Sequence, residues 1–252
     1  MIKKITVFLA FLAFFPLVLA ADAKGDEIMQ KMYGLKKSTD SKMQATMTLI
    51  DKSGNKKNRK LVIYTQDNGE SRNTFMEFLE PADVKGTRFL TIGGKDGDDQ
   101  RLWLPALKKV RKIAASGKDG KFMGSDLTYY DMEEKHFGDA SYTYLKDEAF
   151  EGKNCSVVEM VSKKADAPYS KSIAWVSKED SLAYKMELYD KSGDLVKTIV
   201  NVEVKSFNGV LVPTKMVADN KKEGTKTLLQ MDDVSINTGL KAEIFSVKYL
   251  ER

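Results

Sequence analysis

Ser41-Lys42-Met43-Gln44-Ala45-Thr46-Met47-Thr48-Leu49-Ile50 is the stretch on which the fold turns. Met43, Ala45, Met47 and Leu49 alternate with Lys42, Gln44, Thr46 and Thr48. A period of two sends successive side chains to opposite faces, so this is a strand with one dry and one wet face, as antiparallel sheets require. Residues 51–55 (Asp-Lys-Ser-Gly-Asn) form a turn, and residues 60–65 read as the returning strand. Residues 70–79 follow, with Phe75, Glu77 and Leu79 on one face and Met76 and Phe78 on the other.

The same signal continues outward. Strands are expected at 87–92, 100–104 and 109–114, the first two separated by the Gly-Asp-rich turn 93–99. A loop over 115–124 leads to residues 125–132, where Ser125 or Asp126 is placed to cap a short helix. Strands then return at 141–147, 156–162, 171–177, 183–189, 195–206, 211–219 and 225–236. Ahead of all of these, residues 23–37 read as an amphipathic helix: Asp26 and Glu27 lie in an early turn, Ile28, Met32 and Leu35 share a face, and Lys36 and Lys37 close it. Roughly a dozen strands joined by hairpin turns, with no Pro/Gly/Ser-rich linker between them, indicate one large antiparallel sheet in a single domain. A sheet of that size must curl or close, and its concave apolar face needs covering. The expected class is mainly β with a few helices, a large curved antiparallel sheet forming an incomplete β-barrel with a helical lid.

Residues 1–20 carry Lys3 and Lys4, an apolar run from Ile5 to Leu19, and the ending Val18-Leu19-Ala20. This is a signal peptide, with the mature chain, 21–252, beginning at Ala21. The run is shorter than the roughly 20 residues of a spanning helix and contains Pro16, so release outside the cytoplasm is expected rather than anchoring. Losing the leader lowers the formal charge from +5 to +3, 39 basic residues against 36 acidic. That balance leaves no electrostatic footprint for nucleic acid.

Cys155 is the only cysteine, so no internal disulfide forms and the hydrophobic core must hold the fold. It reads as a small buried strand residue. His136 is the only histidine; a Ser/His/Asp arrangement would have to rest on it, and a zinc site would lack its usual ligands. G-x-S-x-G, H-E-x-x-H and phosphate-loop motifs do not occur. No enzyme, metal or cofactor is expected on these grounds. Asn154-Cys155-Ser156 matches a glycosylation sequon by chance. Eleven methionines remain in the mature chain, and Met adapts to variable apolar ligands, with Met43, Met47 and Met76 the stronger candidates beside ordinary core packing. Lys108, Lys109, Arg111 and Lys112 form a basic stretch suited to an anionic membrane surface or an acidic partner, or simply to a solvated strand face.

Three blocks carry a resemblance. Residues 78–90 (FLEPADVKGTRFL), 102–113 (LWLPALKKVRKI) and 122–132 (FMGSDLTYYDM), in this order and spacing, resemble the outer-membrane lipoprotein-sorting proteins of the LolA-like superfamily. The resemblance implies a periplasmic incomplete barrel whose helices cover a cavity for acyl chains. It also implies a carrier of lipoprotein or lipid, working with an inner-membrane transporter and making peripheral contact with membranes, rather than a catalyst. On that basis the cavity residues are assigned as Met32, Leu35, Met43, Met47, Met76, Phe78, Phe89, Trp103, Leu127 and Tyr130, between the sheet and helices at 23–37 and 125–132. Lys108, Lys109, Arg111 and Lys112 are assigned to the partner or membrane face. Pro81 and Gly86 should shape a loop, Pro105 should end a strand, and Gly124 should precede the short helix. The competing reading is a structural or adhesive envelope protein whose barrel is simply filled.

Overall fold

The computed structural model describes residues 15–69, 71–94 and 97–252. The expected leader lies outside these up to residue 14, as do Glu70 and, within the expected turn 93–99, Lys95 and Asp96. Helix α1 is Phe15–Tyr33. Thirteen strands follow: β1 Asp40–Ile50, β2 Lys56–Asp67, β3 Arg72–Glu80, β4 Arg88–Ile92, β5 Asp99–Leu104, β6 Lys109–Lys112, β7 Ala140–Phe150, β8 Lys153–Ser162, β9 Lys171–Ser177, β10 Ala183–Tyr189, β11 Leu195–Phe207, β12 Val210–Asn220 and β13 Thr225–Ile236. A short C-terminal helix, α2, is Val247–Leu250.

The strands form one sheet in the order β6-β5-β4-β3-β2-β1-β13-β12-β11-β10-β9-β8-β7. Each pair of neighbours is antiparallel, including the long-range pair in which Met43 faces Val234 and Met47 faces Leu229. The sheet is not closed into a barrel. Its edges are β6 and β7, and the chain passes from one to the other through residues 113–139, here called the crossover.

Alternation decides which face each residue takes. Met43, Ala45, Met47 and Leu49 of β1 join Leu61, Ile63, Met76, Phe78, Phe89 and Leu102 on one side of the sheet, packed around Phe122 and Leu127 of the crossover. Ala218 and Met216 of β12 and Ile199 of β11 belong to the same cluster. Strands lie about 4.8 Å apart, so a short crossover meets both β5 and β11 only because the sheet curves around it. Polar contacts repeat this span, with Gln100 of β5 donating to Tyr129 O at 2.9 Å and Thr227 of β13 donating to Asp126 at 2.8 Å. On the other half of the same face, Met29 of α1 is fully buried against Tyr142, Val158, Met160, Ala174 and Val176. Gly25 makes that approach possible: a Cβ there would meet Tyr142 O at 2.7 Å. The convex side of β3–β6 is capped by the C-terminal segment, where Phe245 and Leu250 pack with Phe75 and Leu90.

Two expectations about helices need correction. The first helix stops at Tyr33, not at Lys37. Gly34 is the weak point, because glycine costs a helix about 1 kcal/mol relative to alanine. Lys36 then reaches Asn208 O at 3.1 Å and Lys37 pairs with Glu134 at 2.6 Å. The second correction is larger: residues 125–132 form turns, not a helix. Asp126 does not cap anything locally, since its carboxylate accepts from Thr225 and Thr227 of β13. Thr128 N donates to Asp131 at 2.8 Å and Asp131 N to Thr128 Oγ1 at 3.2 Å, the reciprocal pair of a capping box, but only successive turns follow it, with Met132 N donating to Tyr129 O and Glu133 N to Tyr130 O. Met123 and Gly124 adopt left-handed φ of 51° and 71° just before, in a 3-10 turn spanning Phe122–Gly124. The cover over the sheet is therefore α1 plus an irregular crossover, not a pair of helices.

The loop expectations hold. Pro81 opens a turn in which its carbonyl accepts from Val84 and Lys85, and Gly86 has φ 76°. A Cβ on Gly86 would lie 3.7 Å from the Pro105 ring, so the first two motif blocks meet where β5 ends.

Candidate functional site

A cavity of about 220 Å³ lies between α1, the crossover and the inner side of β7–β11. Its apolar wall is Ala140, Met160, Met186, Leu188 and Ile199. Strand alternation puts these side chains there: Met186 and Leu188 are two apart on β10, so they share a face. Tyr33 enters from the end of α1, and Tyr130, Asp131, Lys135 and Asp139 from the crossover. Lys164 and Tyr169 come from the loop before β9, and Lys171 from its first residue. A wider and more polar hollow adjoins it, lined by Lys118, Asp119, Glu133, Asp166 and Lys191 and sharing Tyr130 and Lys164 with the cavity. Although it is larger, at about 950 Å³, its lining suits water and ions. The smaller chamber is the one with an apolar wall to offer.

The crossover is fastened to the sheet by buried charge. Lys197 of β11 bonds the Asp131 carboxylate, with side-chain exposures of 5% and 7%, and also donates to Tyr169 Oη at 2.9 Å. Tyr169 Oη in turn donates to Asp131 at 3.0 Å. Burial, reinforced by the Asp131 charge, pushes the Tyr169 hydroxyl well above the ordinary tyrosine range, so it stays a donor. Glu133, 3% exposed, ties the crossover to itself: it bonds Lys118 and, at 3.0 Å, Lys135, both within the crossover, with Lys164 of the loop before β9 at 4.0 Å. Burial alone would raise the Glu133 carboxyl, but the Lys118 bond and the Lys135 charge outweigh it and hold the group below its ordinary value. Lys135 rests 3.5 Å over the Tyr130 ring, and burial lowers its ammonium despite Glu133.

Of the residues assigned from the sequence, Tyr130 lines the cavity. Met32 packs beside it in the α1 cluster. Met43, Met47, Met76, Phe78, Phe89 and Leu127 are brought together, but in the other half of the concave face, where Phe122 and Tyr129 fill the space. Leu35 is half-buried beyond the end of α1. Trp103 lies on the opposite side of the sheet under the C-terminal segment, because the alternation that turns Leu102 inward turns Trp103 outward. The cavity's Met160, Met186, Leu188, Ile199 and Lys197 were missed. One signal was available: Lys197 shares a strand face with Ile199, and a lysine at an apolar position implies a buried partner.

Lys109, Arg111 and Lys112 stand exposed on edge strand β6, with Lys108 in the left-handed turn before it at φ 47°. Leu107, at the tip of that hairpin, is 62% exposed. Cys155 is buried with Val157 and Trp175, and burial raises its thiol. His136 Nε2 is 3.4 Å from Ser71 Oγ, but that hydroxyl donates to Glu134 at 2.9 Å instead. No group of three His, Cys, Asp or Glu side chains suited to a metal ion occurs among the described residues, and no helix among them is long and apolar enough to cross a membrane.

A protein domain assigned to outer membrane lipoprotein sorting, from Vibrio parahaemolyticus, is 31% identical over 92% of this chain and 100% of its own, with a TM-score of 0.86. The chain belongs to the LolA-like outer-membrane lipoprotein-sorting family. A DUF1329 family protein from Desulfovibrio piger is 27% identical over 91% of this chain and 99% of its own, also at TM-score 0.86. A LolA superfamily protein from Nitrosomonas europaea shares the fold, at 20% identity over 92% and 98% of the two chains and TM-score 0.68. A family model described as "Uncharacterized protein" matches residues 70–252. No curated protein matches. In this LolA-like chain the crossover, which supplies the third motif block, is both the floor of the filled half and one wall of the cavity.

Proposed function

We propose that this chain is a non-catalytic carrier that shields the acyl chains of a lipid or lipoprotein and passes them between membranes of the cell envelope. The observation that carries this is the cavity with Met160, Met186, Leu188 and Ile199 on one wall, lying under α1 and the crossover. Family membership supports the same reading. Each methylene removed from water contributes roughly 0.8 kcal/mol, which is the driving force for loading. Methionine at two wall positions tolerates chains of different shape. At about 220 Å³ the chamber is too small for two full acyl chains, so α1 and the crossover must move outward on loading. The leader and the family together support a periplasmic location, with an inner-membrane transporter as the donor.

The test is direct. Protein purified from the envelope and extracted with organic solvent should yield lipid by mass spectrometry, and the emptied protein should bind a fluorescent fatty acid. If it carries nothing and binds nothing, the carrier reading fails. The filled-barrel reading would then stand, and the close packing around Phe122 is the observation that favours it.

Delivery is assigned to the β5–β6 hairpin. Exposed Leu107 flanked by Lys108, Lys109, Arg111 and Lys112 combines an apolar tip with positive charge, the pairing an anionic bilayer surface attracts. Lysines on an edge strand also deter strand-to-strand aggregation, which would be a sufficient reason for them. Charge attraction is screened over about 8 Å at physiological salt whereas apolar burial is not. Reversing Lys108, Lys109 and Lys112 to Glu should therefore weaken association with anionic vesicles in a salt-sensitive way and leave fatty-acid binding intact. Unchanged vesicle association in that variant would remove the hairpin from the delivery step.

A further inference from the structure

We infer that the acyl chain enters and leaves the chamber through the groove between the end of α1 and the crossover, crossing the exposed ring of Phe137. This rests on the carrier reading and supplies its route. Gln30 and Tyr33 of α1, with Lys37 beyond it, form one bank of the groove, and Lys135, His136 and Phe137 form the other. Tyr33 and Lys135 also line the chamber, so the two spaces meet at these side chains. Phe137 is 44% exposed, and its ring stacks on Tyr142 with centroids 5.5 Å apart. Tyr33 stands 6.4 Å from Phe137 and 6.3 Å from Tyr142. Tyr142 is buried in one cluster with Met160, and Met160 is part of the chamber wall. Hydrocarbon therefore meets an apolar path from the surface at Phe137, past Tyr33, to Met160, and each step takes apolar area out of water. The other way out of the chamber passes Tyr130 and Lys164 into the polar hollow, where a tail would lie among Lys118, Asp119, Glu133 and Asp166. Tyr130 is also firmly placed, between the Tyr169 ring and the Asp131 that buried Lys197 bonds. Across the groove the tie is lighter: Lys37 pairs with Glu134 while its own side chain stays 46% exposed, and an ion pair so open to water contributes little.

Stopped-flow binding of a fluorescent fatty acid tests the route. Lys37→Cys/Glu134→Cys puts a thiol on each bank where the ion pair stood, and Lys118→Cys/Lys164→Cys puts them on the hollow side, at two lysines that approach the same Glu133 carboxylate. A short, reducible reagent with two thiol-reactive ends closes each pair, and the native Cys155 is buried away from it. Closing the groove pair should slow both association and release by about tenfold or more, with recovery on reduction, whereas closing the hollow pair should change either rate by less than about twofold. Phe137→Asp needs no cross-link and carries the test where a cysteine pair does not fold. Its carboxylate stands in the path but outside the chamber lining, so both rates should fall by about fivefold or more while equilibrium affinity stays within about twofold of wild type. Unchanged rates with the groove pair closed or in Phe137→Asp, or slowing by the hollow pair as large as that by the groove pair, overturn the inference and leave the carrier reading in place. Failure of wild-type protein to bind the fatty acid overturns the carrier reading and this inference with it.

Discussion

Replacing Lys197 by Met is expected to lower stability by about 3–5 kcal/mol, because removing one member of a buried ion pair leaves the other charge without compensation. Asp131 and Lys197 have side-chain exposures of 7% and 5%, and Tyr169 offers Asp131 only a neutral donor. For a chain of this size each kcal/mol moves the melting temperature by about 2–4 °C, so a fall of roughly 6–20 °C should be seen by calorimetry. The double variant Asp131→Leu/Lys197→Met should recover most of that loss, since a buried pair replaced by apolar side chains of similar volume is often close to neutral. The pair has a second consequence: Asp131 is on the crossover and Lys197 on the sheet, so its removal should loosen the cover and speed entry of a fluorescent fatty acid. A Lys197→Met protein within about 1 kcal/mol of wild type would mean that the pair does not hold the cover down.

Phe122→Ala is expected to lower stability by a similar amount, about 3–5 kcal/mol, through lost burial and the cavity left behind. Phe122 is fully buried, with its ring centroid 5.0 Å from Phe89, 5.8 Å from Tyr129 and 6.1 Å from Phe78. Tyr129 meets it edge-on at 90°, an arrangement that adds to simple area burial. The substitution also opens apolar room in the half of the concave face that is filled in this structure. An apolar cavity of that kind stays dry and takes apolar guests. Decanol should therefore raise the melting temperature of Phe122→Ala more than that of wild type in thermal denaturation. If the variant melts within a few degrees of wild type, the crossover is a loose flap over that half rather than its packing partner.

The strands were legible because their signal is local. Residues 171–177, 183–189 and 225–236 read as strands from alternation and flanking turns, and the observed strands have those bounds. The face assignments within strands followed too: Phe75 lies on the convex side and Met76 and Phe78 on the concave side, as a period of two requires.

What failed at the level of sequence was every feature in which a side chain had two possible partners. Asp126 could cap a helix of its own neighbours or accept from Thr225 and Thr227, and the sheet brings those two hydroxyls within reach. Of the ten assigned cavity residues Tyr130 lines the chamber, whereas Met43, Met47, Met76, Phe78, Phe89 and Leu127 face the other half, because apolarity does not say whether the space facing a side chain is empty or filled. Phe122 fills it for Met47, Met76 and Phe89, while nothing comparable fills it for Met186 and Leu188. Alternation and turn signals specified an antiparallel sheet of about a dozen strands, the opposite faces of residues such as Phe75 and Met76, and the loops at Pro81 and Pro105, because each depends on neighbours a few positions away. Only the tertiary structure decided where the cover lies, which half of the concave face stays hollow, and that Lys197 and Asp131 meet, because those depend on how far the sheet curves and on contacts between residues that are neighbours in space alone.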